Sequence, residues 1–443
     1  MKIKKQQESL VLSPEIIKLL NNFIKREKKG DLKARSCASE DLKKFLIKTA
    51  DGSFTLSSAE INGTSETMHT HHGAIKESLK KFVEPAMLAG KFADKEKTEL
   101  NILDICSGLG YNAATALHQW RQVERNIPQK IKLDMVEISK ETLAASLLIP
   151  SPLEEHKIIK KAIENKFLQE KYLSFRFQVK KIPEELNINI YNMDGRKLLK
   201  NLIANDEINF KNNKFELTAF KESEYKKGNL KESLEIYDAI FLDPFSPQLA
   251  PELYTLDFFK ALKQIIKKDG LLLTYTSAAP VRSALIKAGF YVGEVPPFGR
   301  KKGGTVASLS PDTISQDLPG EDELMIALSD AGIPYRDQYL NENACLIKDR
   351  RIKERKARRG KDKFASTVKT PLYILNEPED HRLKRRVLRN LQSMGFEDFN
   401  LDKSRFIVCP QFNDCICGRG CKIFKNSKER IEEMENRLQS VKN

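Results

Sequence analysis

The chain has 443 residues, 40% of them hydrophobic and 31% charged, and Lys+Arg exceed Asp+Glu by 76 to 61, for a net charge of +15. That length and composition allow two domains, or one large domain with an appendage, and exclude a wholly disordered chain; the basic excess suits a polyanionic partner. The start, MKIKKQQESLVLSPEIIKLL, lacks an apolar leader core, and no later run reaches about 18 uncharged apolar residues, so no membrane partner is expected. Seven cysteines, four of them crowded near the C-terminus, do not read as an evenly spaced disulfide framework. The expectation is a cytoplasmic protein without a disulfide-linked partner.

Residues 1–95 read as helical segments and loops, with ETMHTHHGAIKESLKKF entering a helix after a His-rich turn. From Leu100 the pattern becomes short apolar runs separated by helical stretches. The predicted strands are 101–106, 132–137, 188–192, 237–243, 271–276, 290–295 and 305–309, with helices among the intervening segments at 251–266 and 281–288. This alternation predicts an α/β fold with a mostly parallel seven-stranded sheet covered on both faces. Gly270 and Gly289 stand where helices should stop. Residues from Lys221 to Glu235 read as a polar insertion ahead of the fourth strand.

Beyond Asp312 the composition shifts. Lys348 to Lys363 holds ten Lys/Arg against three acids, which predicts a charge-rich helix or a flexible linker that contacts phosphate. Residues 370–443 have apolar positions enough for a small domain ending in the helix KERIEEMENRLQSV. The expected division is an N-terminal region 1–95, a catalytic domain 96–312, a basic linker 313–369 and a small cysteine-containing domain 370–443.

The first strand runs into Asp104-Ile105-Cys106-Ser107-Gly108-Leu109-Gly110-Tyr111-Asn112, and a helix follows. A glycine-rich turn between strand and helix lets a ligand approach the backbone closely, and Gly108 and Gly110 are the expected points of approach. Glu137 closes the second strand, where a carboxylate can accept ribose hydroxyl protons. Asp194, in Asn192-Met193-Asp194-Gly195, follows the third, where an acid can take an adenine amino group. Acids at the ends of successive parallel strands make a nucleoside cleft. A dinucleotide remains open, although the loop lacks the third glycine of the pyrophosphate fingerprint. The fourth strand ends Phe241-Leu242-Asp243-Pro244-Phe245-Ser246-Pro247. A primary amine is mostly protonated at neutral pH, and a carboxylate at Asp243 can hold the ammonium and take or relay its proton.

Over residues 50–309 the sequence resembles the methyltransferase domain of MnmC, the bifunctional tRNA wobble-uridine enzyme, and its stand-alone relatives. The resemblance rests on Asp51-Gly52-Ser53-Phe54-Thr55-Leu56, the loop Gly108 to Asn112, and the string Asp238 to Pro247. It continues through Pro251-Glu252-Leu253-Tyr254, Thr276-Ser277-Ala278, Val281-Arg282, Ala288-Gly289-Phe290 and Phe298-Gly299-Arg300-Lys301. It implies a Rossmann-like class I S-adenosylmethionine methyltransferase acting on the aminomethyl group of the tRNA wobble uridine, thiolated or not. The implied cofactor site comprises Asp104, Gly108, Gly110, Tyr111, Asn112, Glu137, Asp194 and Gly195, with Asp243 facing the acceptor amine. Arg300, Lys301 and Lys302 are the implied RNA contacts. Cys106 departs from the family, whose loop has glycine there, and Pro244 replaces a small residue. No oxidase domain is recognisable, so a separate enzyme is expected to supply aminomethylated tRNA.

Cys409, Cys415, Cys417 and Cys421 offer four thiolates within thirteen residues, enough for zinc or an iron–sulfur cluster. His69, His71 and His72 share one loop, read as a cover for the cofactor cleft. Two alternatives are an aminopropyltransferase-like enzyme acting on a small amine, and an RNA-binding protein with a decayed cofactor site.

Overall fold

The computed structural model describes residues 12–59, 66–124, 129–166, 173–179, 182–204 and 234–442. Most of the expected polar insertion, 221–233, lies outside these residues. The chain forms two compact units: Met1–Phe245 with Gln264–Tyr275 and Pro296–Gly304, and Ser246–Lys263 with Thr276–Val295 and Thr305–Asn443.

In the first unit a short antiparallel pair, β1 (Ile47–Lys48) and β2 (Phe54–Thr55), precedes six longer strands. These are β3 (Glu99–Ile105), β4 (Lys130–Val136), β5 (Leu173–Val179), β6 (Ile182–Tyr191), β7 (Tyr237–Leu242) and β8 (Ile266–Thr274), in the order β5-β6-β4-β3-β7-β8. All neighbours are parallel except β5, which runs antiparallel to β6. Most residues of β3, β4 and β7 are buried, Asp104, Asp134 and Asp238 included, as a helix-covered parallel sheet requires. The order reverses between β3 and β7, so their carboxyl ends open a crevice at the topological switch point.

The helices Pro14–Lys28 and Ala34–Leu42 share a core with the cofactor-loop region: Leu12, Ile16, Leu20 and Phe23 cluster with Leu109, Tyr111, Ala144 and Leu148. Local sequence starts the first of them, because Pro14 opens it and Ser13 Oγ accepts from the Ile16 N–H.

The second unit contains an antiparallel pair, β9 (Tyr291–Glu294) and β10 (Thr305–Ser308), with helices at Ala279–Ala288, Gly320–Leu328, Ala344–Arg358, His381–Ser393, Asp402–Val408 and Ser427–Lys442. Its buried polar centre is Arg282, fully enclosed and bonded to Asp322, Glu294 and Thr305. Each partner satisfies a guanidinium that burial alone would strand.

The seven predicted strands are all present, and β5 and the short pair β1 and β2 are strands that the sequence reading missed. Gly289 ends its helix in the left-handed conformation, φ +104°. Gly270 is corrected: it lies inside β8, where a register shift occurs opposite Tyr237–Ala239, and a Cβ there would stand 2.8 Å from the Tyr237 carbonyl. Its lack of a side chain answers backbone crowding at a bulge rather than a helix end. The run from Lys348 to Lys363 is helical as far as Arg358 and then turns, and its cations are largely engaged within the unit. Arg350 pairs with Glu342, Arg351 bonds the Ile333 and Ala331 carbonyls, Arg355 and Arg359 meet Asp330, Arg358 meets Asp362, and Lys363 meets Glu435.

Candidate active site

The loop after β3 turns sharply. Cys106, Gly108 and Gly110 all have positive φ, +64°, +53° and +84°. The two glycines differ in what demands them. A Cβ on Gly110 would lie 2.8 Å from Ile159 Cγ2, so that position is closed by packing. A Cβ on Gly108 would meet only the Cys106 carbonyl, at 3.8 Å, leaving that backbone open to a ligand.

Glu137, at the end of β4, holds this loop. Its carboxylate accepts from the Gly108 N–H at 3.1 Å and the Ser139 N–H at 2.9 Å, one on each oxygen. Burial raises its pKa despite those bonds. Each oxygen keeps a further lone pair for a ribose hydroxyl. Asp194 caps the helix Gly195–Ala204 through the Arg196 N–H at 2.8 Å, and both its oxygens meet the Arg196 guanidinium. An adenine amino group at Asp194 would share that carboxylate with Arg196. Gly195 is buried at the helix start.

Asp104 is fully buried, and neither carboxylate oxygen has a hydrogen-bond partner among the described residues. Burial, then the nearby charge of Asp243, pushes its pKa well up; Asn112 is near enough to oppose this, but its amide bonds Asp243 rather than Asp104. A stranded carboxylate in a native fold calls for a donor supplied from elsewhere. Asp243 lies across the switch point, its N–H bonded to the Ile105 carbonyl at 3.1 Å and its Oδ2 accepting from Asn112 Nδ2 at 3.0 Å. Burial raises it to about 6, against the opposing pull of His69 and the Asn112 bond.

Asn112 faces Asp243, and its other end, Oδ1, lies 2.7 Å from Ser78 Oγ. It therefore orients the acid. Tyr111 is buried under the loop, its hydroxyl bonded to the Phe54 backbone at 3.1 Å and its ring stacked on His156. The structure thus gives Tyr111 a supporting contact with the Asp51–Leu56 segment rather than an open ligand face. Within that segment Asp51 accepts from the Ser53 and Lys76 N–H groups, while Ser53 Oγ accepts from the Ala74 N–H.

In the His-rich turn the His71 and His72 rings lie against each other, centroids 3.9 Å apart, while His69 stands elsewhere. His69 packs edge-on to Tyr111 and lies 3.6 Å from Glu77, whereas His72 packs against Phe298 and under Gly299. Arg300 covers the Tyr275 ring at 4.7 Å, with Lys301 and Lys302 exposed beside it. Sequence reading missed Ser78, Glu77 and Lys81. Glu77 and Lys81 form a buried ion pair at i,i+4 spacing, which in sequence looks like any surface helix pair. Although burial opposes it, His69 and Lys81 together hold Glu77 well below the usual carboxylate range.

The second unit brings all four C-terminal cysteines together, their sulfurs within 4.8 Å of one another. The backbone N–H of Cys421, followed by those of Cys417 and Arg419, draws the Cys415 thiol down to about 5.

Residues 184–310 match the model of a family described as S-adenosyl-L-methionine-dependent methyltransferase. An uncharacterized protein of Methanocaldococcus jannaschii is 31% identical over 400 residues, spanning 87% of this chain and 96% of that one. The tRNA 5-methylaminomethyl-2-thiouridine biosynthesis bifunctional protein MnmC of Ralstonia nicotianae is 46% identical over 71 residues, 16% of this chain and 11% of that protein. The crystal structure of MnmC2 from Aquifex aeolicus aligns with 24% identity and a TM-score of 0.49, over 77% of this chain and 99% of that one.

Proposed function

The chain belongs to the MnmC-like family of S-adenosyl-L-methionine-dependent methyltransferases, and from that premise we propose that it methylates the aminomethyl nitrogen of the tRNA wobble uridine. The observation that carries this reading is the pair of acids at the switch point: buried Asp104 without a partner among the described residues, and half-buried Asp243 held by Asn112 with its pKa raised to about 6.

The residues present fit the cofactor. Asp104 offers a stranded carboxylate to a cationic group, Gly108 leaves backbone open, and Glu137 has lone pairs for ribose. Gly110, Tyr111 and Asn112 shape the loop, with Asp194 and Gly195 at its adenine side. When bound, S-adenosylmethionine supplies an electrophilic methyl on a sulfonium. Asp243 holds the acceptor ammonium, and its raised pKa narrows by about two units the gap to an alkyl ammonium near ~10. The carboxylate takes the proton and frees the nitrogen lone pair, which would then be ready to accept the methyl of a bound S-adenosylmethionine. Asn112 and Ser78 fix the carboxylate so that this geometry is set before the acceptor arrives.

Arg300, Lys301 and Lys302 are proposed as RNA contacts. A second basic surface is supported by the helix His381–Ser393: Arg382, Arg385, Arg386 and Arg389 lie on one stripe, line a groove with Leu388 and Gln392, and pair with no acid among the described residues. Unpaired guanidiniums in a row suit a phosphate backbone. The aminomethylated tRNA comes from a separate enzyme, the four C-terminal thiolates bind a metal, and the protein works in the cytoplasm. No helix among the described residues is long and apolar enough to cross a membrane.

Replacing Asp243 by Ala tests the assignment. S-adenosylmethionine affinity should stay near normal while turnover falls by about two orders or more, as loss of a positioned acid–base group does. Near-normal turnover at saturating tRNA would contradict it.

A further inference from the structure

We infer that Cys409, Cys415, Cys417 and Cys421 bind one tetrahedral zinc ion that locks the 409–427 segment, an inference that rests on the metal reading above and narrows it. Successive sulfurs lie 3.9 Å (Cys409–Cys415), 3.7 Å (Cys415–Cys417) and 3.4 Å (Cys417–Cys421) apart. A zinc ion with Zn–S bonds of ~2.3 Å requires tetrahedron edges of about 3.8 Å. The three successive edges lie close to that value, and all six sulfur pairs fall within 4.8 Å. A cubane iron–sulfur cluster gives each thiolate its own iron and spreads the sulfurs further apart. None of the four is joined in a disulfide.

The local chain is built to converge. The helix Asp402–Val408 passes directly into the turn Cys409–Gln411, which fixes the buried Cys409 at the end of a regular element. In Cys417-Gly418-Arg419-Gly420-Cys421 both glycines are left-handed, φ +71° and +64°, with open space where a Cβ would be. Those two turns bring Cys421 back onto Cys417. Beyond the turn at Cys409–Gln411, no helix or strand occurs before Ser427, so backbone hydrogen bonds do little to hold this stretch. Four metal–sulfur bonds supply the missing constraint, as in small structural zinc sites.

The surroundings match the charge. Four thiolates around one zinc leave a net charge of −2, and the neighbouring cations are arranged around the segment. Arg419 and Arg437 both stack on the Phe406 ring, at 4.1 and 4.7 Å, Arg437 also bonds the Phe406 carbonyl, and Lys422 lies over Phe424 at 5.0 Å. The remaining cysteines, Cys37, Cys106 and Cys345, stand outside the cluster.

The test uses the full chain, purified anaerobically without added metal. Elemental analysis should find about one zinc per chain and a colourless protein. Exchange of zinc for Co²⁺ should give the visible bands of tetrahedral thiolate cobalt. Mild chelation should expose 409–427 to protease, with re-addition of zinc restoring protection. Cys415→Ser should lower zinc retention against a chelator, and the cobalt spectrum of the unaltered protein keeps the test decisive should that variant fail to fold. Iron with visible absorption would overturn zinc while leaving a metal site. A chain that holds no metal and takes up neither Zn²⁺ nor Co²⁺ would overturn both.

Discussion

Cys106 sits at φ +64° in the turn after β3, a conformation that costs a residue with a Cβ roughly 1–2 kcal/mol. Glycine removes that strain but returns roughly 0.5–1 kcal/mol in backbone entropy. Cys106→Gly should therefore stabilise the protein by up to about 1 kcal/mol in denaturant titration, and a clear loss of stability would contradict the strain argument. It also gives the physical reason for the family's glycine at this position. Asp243 yields a prediction in pH. Its folded pKa is about 6, above the ordinary carboxylate value, so activity requiring the ionised form should rise through that pH while this group's contribution to stability falls from about pH 4 to 6. The acid limb of kcat/KM should lie near pH 6, and Asp243→Asn should abolish it together with most turnover. An unchanged limb in the residual activity would assign that titration to another group.

The turn and the helix Tyr111–Gln122 act as one element, seated on the helix Glu154–Glu164. Gly110 touches Ile159 where a Cβ would stand 2.8 Å away, and it holds φ +84°. Gly110→Ala adds roughly 1–2 kcal/mol of backbone strain and roughly 1–3 kcal/mol of overpacking, so thermal unfolding should shift sharply down. Gly108→Ala carries the backbone strain without the overpacking, and should weaken cofactor binding more than it lowers stability. Comparing both variants by calorimetry separates packing from ligand approach; equal losses of stability would contradict the distinction. The strands of this core were legible from short apolar runs such as Ile102-Leu103, Met135-Val136 and Ala239-Ile240-Phe241-Leu242, set between helical stretches. Asp104 and Asp243 were legible as acids at strand ends. The edge strand β5 was missed although Leu173, Phe175, Phe177 and Val179 alternate with polar residues, the period-two pattern of a strand, because short apolar runs were followed instead. Glu77, Lys81 and Ser78 were hidden because helical spacing alone does not reveal which face a short helix buries. The internal partners of the basic run at 348–363 were hidden for a related reason: charge can be counted in sequence, whereas partners such as Asp330 and Glu342 come from outside the run.

At the scale of the molecule, a net charge of +15 matters only where cations remain unpaired. Among the described residues one such group is the stripe Arg382, Arg385, Arg386 and Arg389, whereas most of the run before it is engaged. Arg385→Glu with Arg389→Glu should raise the KM for tRNA and reduce the salt slope of binding by roughly 0.7–0.9 for each phosphate no longer neutralised, with kcat and cofactor affinity little changed. Filter binding across salt concentrations measures this, and an unchanged slope would confine recognition to surfaces such as Arg300 to Lys302. The central claim, methyl transfer to an amine of tRNA, has its most direct test in tRNA bearing aminomethyluridine at the wobble position. The purified chain would be incubated with methyl-labelled S-adenosylmethionine and that tRNA, and the digested nucleosides separated. Label in methylaminomethyluridine, absent with Asp243→Ala, is the predicted result; label in another nucleoside, or in a small amine but never in tRNA, would contradict the account.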